Sequence, residues 1–361
     1  MKKESFYDFL SSLVVIVIGL LFGFLILLVS NAAQALPAFT TILTAGFSSM
    51  RSIGDVLQLS APIILTGLSV AFAFKTGLFN IGASGQFTMG GFVAIYISVV
   101  FVDIPPALRI ILAVVAATFM GAIWGAIPGI LKAYRNVHEV IGSIMTNYIG
   151  MLIVNHLILN HIFDSNRGTS VRLPDEATLP SLGLNRIFAD GSRASGINIG
   201  IILAIIAAIL AYIVLEKTTF GYELKACGLN KDAAKYAGIN AKRNIVFSMM
   251  ISGGLAGLAG AINFMGVGGL SMSIVDVLAP EGFTGISVAF LAMSNPIAAI
   301  FSGTLISYLT FGGARIQALG FSIELVQMVI AIIIYFCAFG FLVKSFLKKR
   351  TKRLLKLEGE V

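Results

Sequence analysis

An all-α polytopic membrane bundle of about ten spanning helices is the fold class this sequence predicts, and three observations predict it. Of 361 residues, 57% are hydrophobic and only 12% charged, with 38 glycines, so too little polar surface exists to cover a soluble core. Apolar stretches approach the ~20 residues that a bilayer core requires. The basic residues, net +8, gather in particular loops and in the C-terminal tail rather than spreading evenly.

The first apolar run, Leu10 to Val29, follows Met1–Asp8 and lacks a convincing small-residue cleavage site, so it reads as a retained span rather than a signal peptide. The ten segments fall at 10–30, 57–74, 86–102, 107–131, 140–159, 198–215, 244–265, 279–294, 296–311 and 321–343. They form one transmembrane domain, 10–343, between a short N-terminus, 1–9, and a basic tail, 344–361. The tail carries Lys344, Lys348, Lys349, Arg350, Lys352, Arg353 and Lys356 against Glu358 and Glu360, which places it in the cytoplasm, and Lys2 and Lys3 weakly place the N-terminus there too. Ten spans satisfy both ends. The same alternation puts 216–243, with six basic and three acidic residues, inside, and the loop 160–197, with four of each, outside.

Two breaks leave the span count open. Residues 279–311 are divided only by Asn295-Pro296, and 57–101 only by the polar stretch Lys75 to Gln86, so either is a full hairpin or a re-entrant turn. Small residues every fourth position, Gly121, Gly125 and Gly129, and again Gly253 and Gly257 beside Ala256 and Gly260, predict helix faces that approach closely. Cys227 and Cys337 lie in regions that should not meet, so no disulfide or metal cluster is implied.

Several chemistries are disfavoured. The chain lacks a Gly-x-x-x-x-Gly-Lys-Ser/Thr phosphate loop and contains no Gly-Lys, so ATP hydrolysis belongs to a partner, and no cofactor is expected on this chain. His138-Glu139 has no second histidine four positions on, which closes a metalloprotease reading. An ion-coupled carrier or channel would use intramembrane carboxylates, and the clear candidates are only Glu139 and Glu324 near span starts. Gly82-Ala83-Ser84-Gly85 resembles the nucleophile turn of rhomboid-type serine proteases, with His156 the conceivable base; the plainer reading makes Ser84 a small polar residue in a broken helix.

Asn80, Ser84 and Gln86 are uncharged hydrogen-bonding groups among glycines, suited to a neutral polar solute or to satisfying one another and the exposed backbone. Asn147, Tyr148 and Asn263 are further candidates for a solute path, with interhelical hydrogen bonding as the alternative. The charged segment 225–243 is securely aqueous, since its six charges at the bilayer centre would cost on the order of 15 kcal/mol. Within it a short helix is predicted: Asn230 caps, Asp232 suits the first turn, Lys235 the last, and Gly238 supplies a left-handed stop. Ala233, Ala234 and Ala237 give it a small face on which something can dock.

The strings Gly77-Leu-Phe-Asn-Ile-Gly-Ala-Ser-Gly-Gln-Phe87, Asn136-Val-His-Glu-Val-Ile-Gly-Ser-Ile-Met-Thr-Asn-Tyr-Ile149 and Ser252-Gly-Gly-Leu-Ala-Gly-Leu-Ala-Gly-Ala261, together with the charged loop, resemble ABC importer permeases of the branched-chain amino acid, ribose and nucleoside family, most closely its nucleoside branch. The resemblance covers roughly 57 to 340. It implies a type II importer-like fold in a bacterial plasma membrane. It also implies a second permease subunit, a cytoplasmic ATPase that uses ATP and Mg, and an external substrate-binding protein or lipoprotein, to whose docking the 160–197 loop could contribute. Membrane lipid surrounds such a subunit, and nucleic acid has no part. A nucleoside-like solute would pass by alternating access. The coupling residues it implies are Gly228, Asn230, Ala233, Ala234, Gly238 and Ile239. The acidic residue common at the head of such motifs has no counterpart except Asp232.

Overall fold

The computed structural model describes residues 2–266, 269–337, 339, 343 and 345; of the basic tail only Ser345 is among them. The helices are α1 (Lys2–Ser30), α2 (Ala32–Thr44), α3 (Met50–Lys75), α4 (Ala83–Val100), α5 (Pro106–Arg135), α6 (Glu139–His161), α7 (Leu184–Ile187), α8 (Gly200–Lys217), α9 (Thr219–Leu229), α10 (Lys231–Tyr236), α11 (Ala241–Phe264), α12 (Pro280–Leu291), α13 (Pro296–Arg315) and α14 (Ile323–Cys337). A two-residue hairpin, β1 (Phe163–Asp164) with β2 (Thr169–Ser170), interrupts the α6–α8 connection. This is an all-α membrane bundle.

Each predicted apolar segment carries a helix, and among the described residues eight helices are long and apolar enough to cross a membrane. The other two, α12 and α14, run 12 and 15 residues. Three features go beyond the sequence reading. The predicted N-terminal stretch 1–9 is helical from Lys2 onward. A helix stands at 32–44, where no element was expected, because Asn31 restarts the helix by accepting from Gln34 N–H at 3.3 Å. The loop 216–243 is largely helical, since α9 fills its first half.

Both breaks are resolved locally. Residues 76–82 separate α3 from α4, and the turn 292–295, with Met293 and Ser294 at positive φ, separates α12 from α13. Proline 106 opens α5, where a missing N–H costs nothing, and Asn136 at φ 52° closes it.

The chain forms two compact units, Met1–Ser48 with Tyr308–Val361, and Ser49–Ser307. In the first, α1 packs on α14 through stacked Phe22 and Phe336, 4.4 Å between ring centroids, and on α2 through Phe24 and Phe39 at 5.0 Å. In the second, α3, α4 and α11 run through the interior and are mostly buried, whereas α5 and α8 are mostly exposed. Lipid supplies little driving force for association, so close packing must hold such helices together. The predicted small faces do this, because a Cβ on Gly253 would stand 2.3 Å from the Gly121 carbonyl oxygen, and one on Gly257 would stand 2.4 Å from that of Ala117. Helix α4 approaches α11 equally closely at Gly90 and Gly257.

Candidate functional site

Local chemistry builds the charged element at one end of the second unit. Thr218 turns the chain in extended conformation and caps α9, its hydroxyl accepting from Gly221 N–H at 3.0 Å and donating to the Val214 carbonyl at 2.6 Å. Leu224 anchors α9 in a cluster with Phe72, Ala211 and Leu215, and Lys225 pairs with Glu216 at 2.7 Å. Asn230, at φ −155°, ends α9 and starts α10, its side-chain oxygen accepting from Asp232 and Ala233 N–H groups, each at 3.0 Å. Gly238 at φ 81° stops α10, with Ile239 N–H returning to the Ala234 carbonyl. The predicted capping is therefore formed throughout.

The predicted small face differs in one residue. Ala233 and Ala237 are exposed, whereas Ala234 is only 4% exposed and sits with them on the groove between α9 and α10 as its most buried member. A helix this short must bury one side against its own protein to persist. Ala226 of α9 and Ala233, Ala237 and Ile239 help line an open groove of about 500 Å³ between α9 and α10, with exposed Tyr222 and Leu229 also bordering it.

Gly228, near the end of α9, lies directly on the turn after α3. A Cβ on Gly228 would stand 2.6 Å from the Thr76 carbonyl carbon and 2.7 Å from Gly77 N, while one on Gly77 would stand 2.5 Å from the Gly228 Cα. Gly77 also needs its glycine for φ 74°. A cavity of about 140 Å³, lined by Thr76, Gly77, Lys132, Cys227, Lys231 and Asn244 among others, adjoins this contact.

Three residues beyond Gly77, the polar break becomes a buried network. Asn80 Nδ2 donates to Gln86 Oε1 at 2.7 Å and to Ser252 Oγ at 2.7 Å, and Gln86 Nε2 returns to Asn80 Oδ1 at 3.2 Å. Ser252 Oγ in turn donates to the Ser69 carbonyl at 2.7 Å. Asn147 clamps the break from α6, accepting from Gly85 N–H at 2.8 Å and donating to the Ile81 carbonyl at 3.0 Å. Ser84 Oγ donates to the Ala279 carbonyl at 2.7 Å. His156 is exposed on α6 and hydrogen-bonds Asn160, so the Ser84–His156 couple that a serine protease needs is not formed.

The structure thus brings Asn80, Ser84, Gln86 and Asn147 together, all at most 1% exposed, and in this conformation they bond to one another and to backbone. Tyr148 is 50% exposed on α6 and Asn263 is half-buried at the far end of α11, so neither joins the network. Ser69 and Ser252 were missed as members, although a serine inside an apolar span is a readable sign of a bonded neighbour. The segment 269–279 was missed entirely; Gly269, Ser271, Ser273 and Pro280 in an apolar stretch were its signal.

A model of the family described as branched-chain amino acid transport system / permease component matches residues 52–338. The chain is 38% identical to the guanosine ABC transporter permease protein NupP of Bacillus subtilis, over 94% of this chain and 96% of that one. It is equally 38% identical to the nucleoside ABC transporter permease protein NupB of Lactococcus lactis, over 96% of each. The glucose ABC transporter permease protein TsgB13 of Haloferax volcanii matches at 30% over 86% of this chain and 82% of its own length. No solved structure gives a significant match.

Proposed function

The chain belongs to the branched-chain amino acid transport system / permease component family, and from that premise we propose that it is the permease subunit of an ATP-driven importer whose solute is a nucleoside. The observation that carries this reading is its end-to-end similarity to two nucleoside permeases. The positive-inside rule supports placing the α9–α10 element in the cytoplasm, where a separate ATPase using ATP and Mg would dock in the groove beside Ala233 and Ala237. Energy then enters through Gly228 and reaches the Gly77 turn. Movement there shifts the break that holds Asn80, Gln86 and Asn147, and opening that network frees uncharged amide and hydroxyl groups matched to a nucleoside's hydroxyls and base edges. A second permease subunit completes the pathway, and a substrate-binding protein delivers the solute to the opposite face, where the 162–199 connection lies. Both chain ends lie in the cytoplasm in this arrangement.

The similarity to a glucose permease gives a second reading, a sugar solute, since both classes present a polyhydroxylated ring. Uptake of labelled guanosine by the assembled complex, in competition with other nucleosides, glucose, ribose and branched-chain amino acids, decides between them. Nucleosides alone should compete. Competition by glucose but not nucleosides would replace the nucleoside reading, and uptake that persists after ATP depletion would remove the importer reading altogether.

A further inference from the structure

Between α11 and α12, residues 269–279 are non-helical, with one isolated bridge from Thr169 to Ser273. Three ties hold the segment. Ser170 N–H donates to the Met272 carbonyl at 2.9 Å and Met272 N–H to Ser170 Oγ at 2.8 Å; Asn155 Nδ2 donates to the Val275 carbonyl at 3.0 Å; Ser84 Oγ donates to the Ala279 carbonyl at 2.7 Å. Helix α6 serves as a depth scale. Asn147, bonded to Gly85 beside Ser84, lies about 12 Å along the helix from Asn155, and Asn155 lies about 9 Å short of the helix end at His161. The segment therefore descends from the hairpin end of the bundle to the level of the polar break, alongside a helix long enough to span the bilayer.

At that depth Ser273, Val275, Asp276 and Val277 are exposed, Val277 to 71%. Irregular backbone and a carboxylate cannot face hydrocarbon, where unsatisfied peptide groups and charge are both costly. The contrast lies on α8, whose exposed positions from Ile202 to Ile213 are all apolar, as a lipid face should be. We propose that the exposed side of residues 273–277 lines the water-filled route of the solute, with Asp276 as a fixed negative charge that admits neutral solutes and disfavours anionic ones such as phosphorylated nucleosides. This rests on the permease reading and adds to it the wall of the path and a charge selection.

The test uses the full transporter complex with Cys227→Ser and Cys337→Ser, in which Val277→Cys is treated with a trimethylammonium thiosulfonate and with its sulfonate-bearing counterpart. Relative to a free thiol, the cationic reagent should react roughly tenfold faster than the anionic one, as a single charge one residue away dictates. Adding Asp276→Asn should collapse that ratio, and Ile206→Cys on α8 should react with neither. Guanosine should slow modification of Val277→Cys. A charge ratio that survives without guanosine protection or guanosine uptake would keep the lining and discard the nucleoside reading. No modification of Val277→Cys, or a ratio that Asp276→Asn leaves unchanged, would overturn the inference.

Discussion

Gly77 and Gly228 touch backbone to backbone, each lying in the space that a side chain on the other would need. One closes the helix before the polar break, and the other nears the end of the helix that leads into α10. A contact without side chains is stiff, because backbone cannot rotate away as a rotamer does. A displacement of α9 would therefore bear directly on the Thr76–Gly77 turn, which leads into the polar break.

The paired glycines of the bundle interior give a prediction with an internal control. Gly253→Ala places a methyl 2.3 Å from the Gly121 carbonyl oxygen, whereas Gly254→Ala meets the nearest atom, the Thr118 carbonyl oxygen, at 3.4 Å. Overpacking of the first kind costs about 1–3 kcal/mol. Thermal unfolding of the purified complex should show Gly253→Ala clearly destabilised and Gly254→Ala close to the parent.

The buried amide pair predicts a different signature. Asn80→Ala strands the Gln86 amide, whose side-chain bonds both run to Asn80, and a buried polar group left alone costs about 1–3 kcal/mol. The variant should lose both thermal stability and uptake. Tyr148→Phe, on an exposed helix face outside the network, should leave stability within about 0.5 kcal/mol. If Asn80→Ala were as stable as the parent, the network would be looser than its hydrogen bonds indicate.

Much of this was legible beforehand, and the failures have physical causes. The caps Asn230 and Gly238 announced α10 because capping is local chemistry, carried by the residue itself and its next few neighbours. The glycine faces announced close helix approach, though not that the α5 and α11 faces meet each other, because a fourfold period of small residues marks a packing face without naming its partner. That Ala234 is nearly buried while Ala233 and Ala237 are exposed was not legible, because alanine fits both a buried and an exposed helix position, and only the fold decides which. Segment 269–279 escaped because its apolar residues look like loop or span alike, and its role depends on partners more than 100 residues away, such as Ser170 and Asn155.

The α9–α10 groove predicts a separation of effects. Ala237→Arg, on an exposed position lining the groove, should leave the folded permease intact but weaken ATPase binding, read by copurification of the ATPase subunit. Ala234→Arg should instead destabilise the element itself, because that side chain is buried. Equal ATPase recovery with wild-type and Ala237→Arg permease would remove the groove from the docking surface.

The central claim, that α9 drives the polar break through Gly228, is tested most directly by Gly228→Ala in the reconstituted complex, with guanosine uptake and ATP hydrolysis measured on the same preparation. The added methyl would stand 2.6 Å from the Thr76 carbonyl carbon, so α9 must shift off the Thr76–Gly77 turn. Hydrolysis should persist while uptake per ATP falls roughly tenfold, the effect of about 1.4 kcal/mol. Uptake per ATP equal to that of the parent would contradict the account.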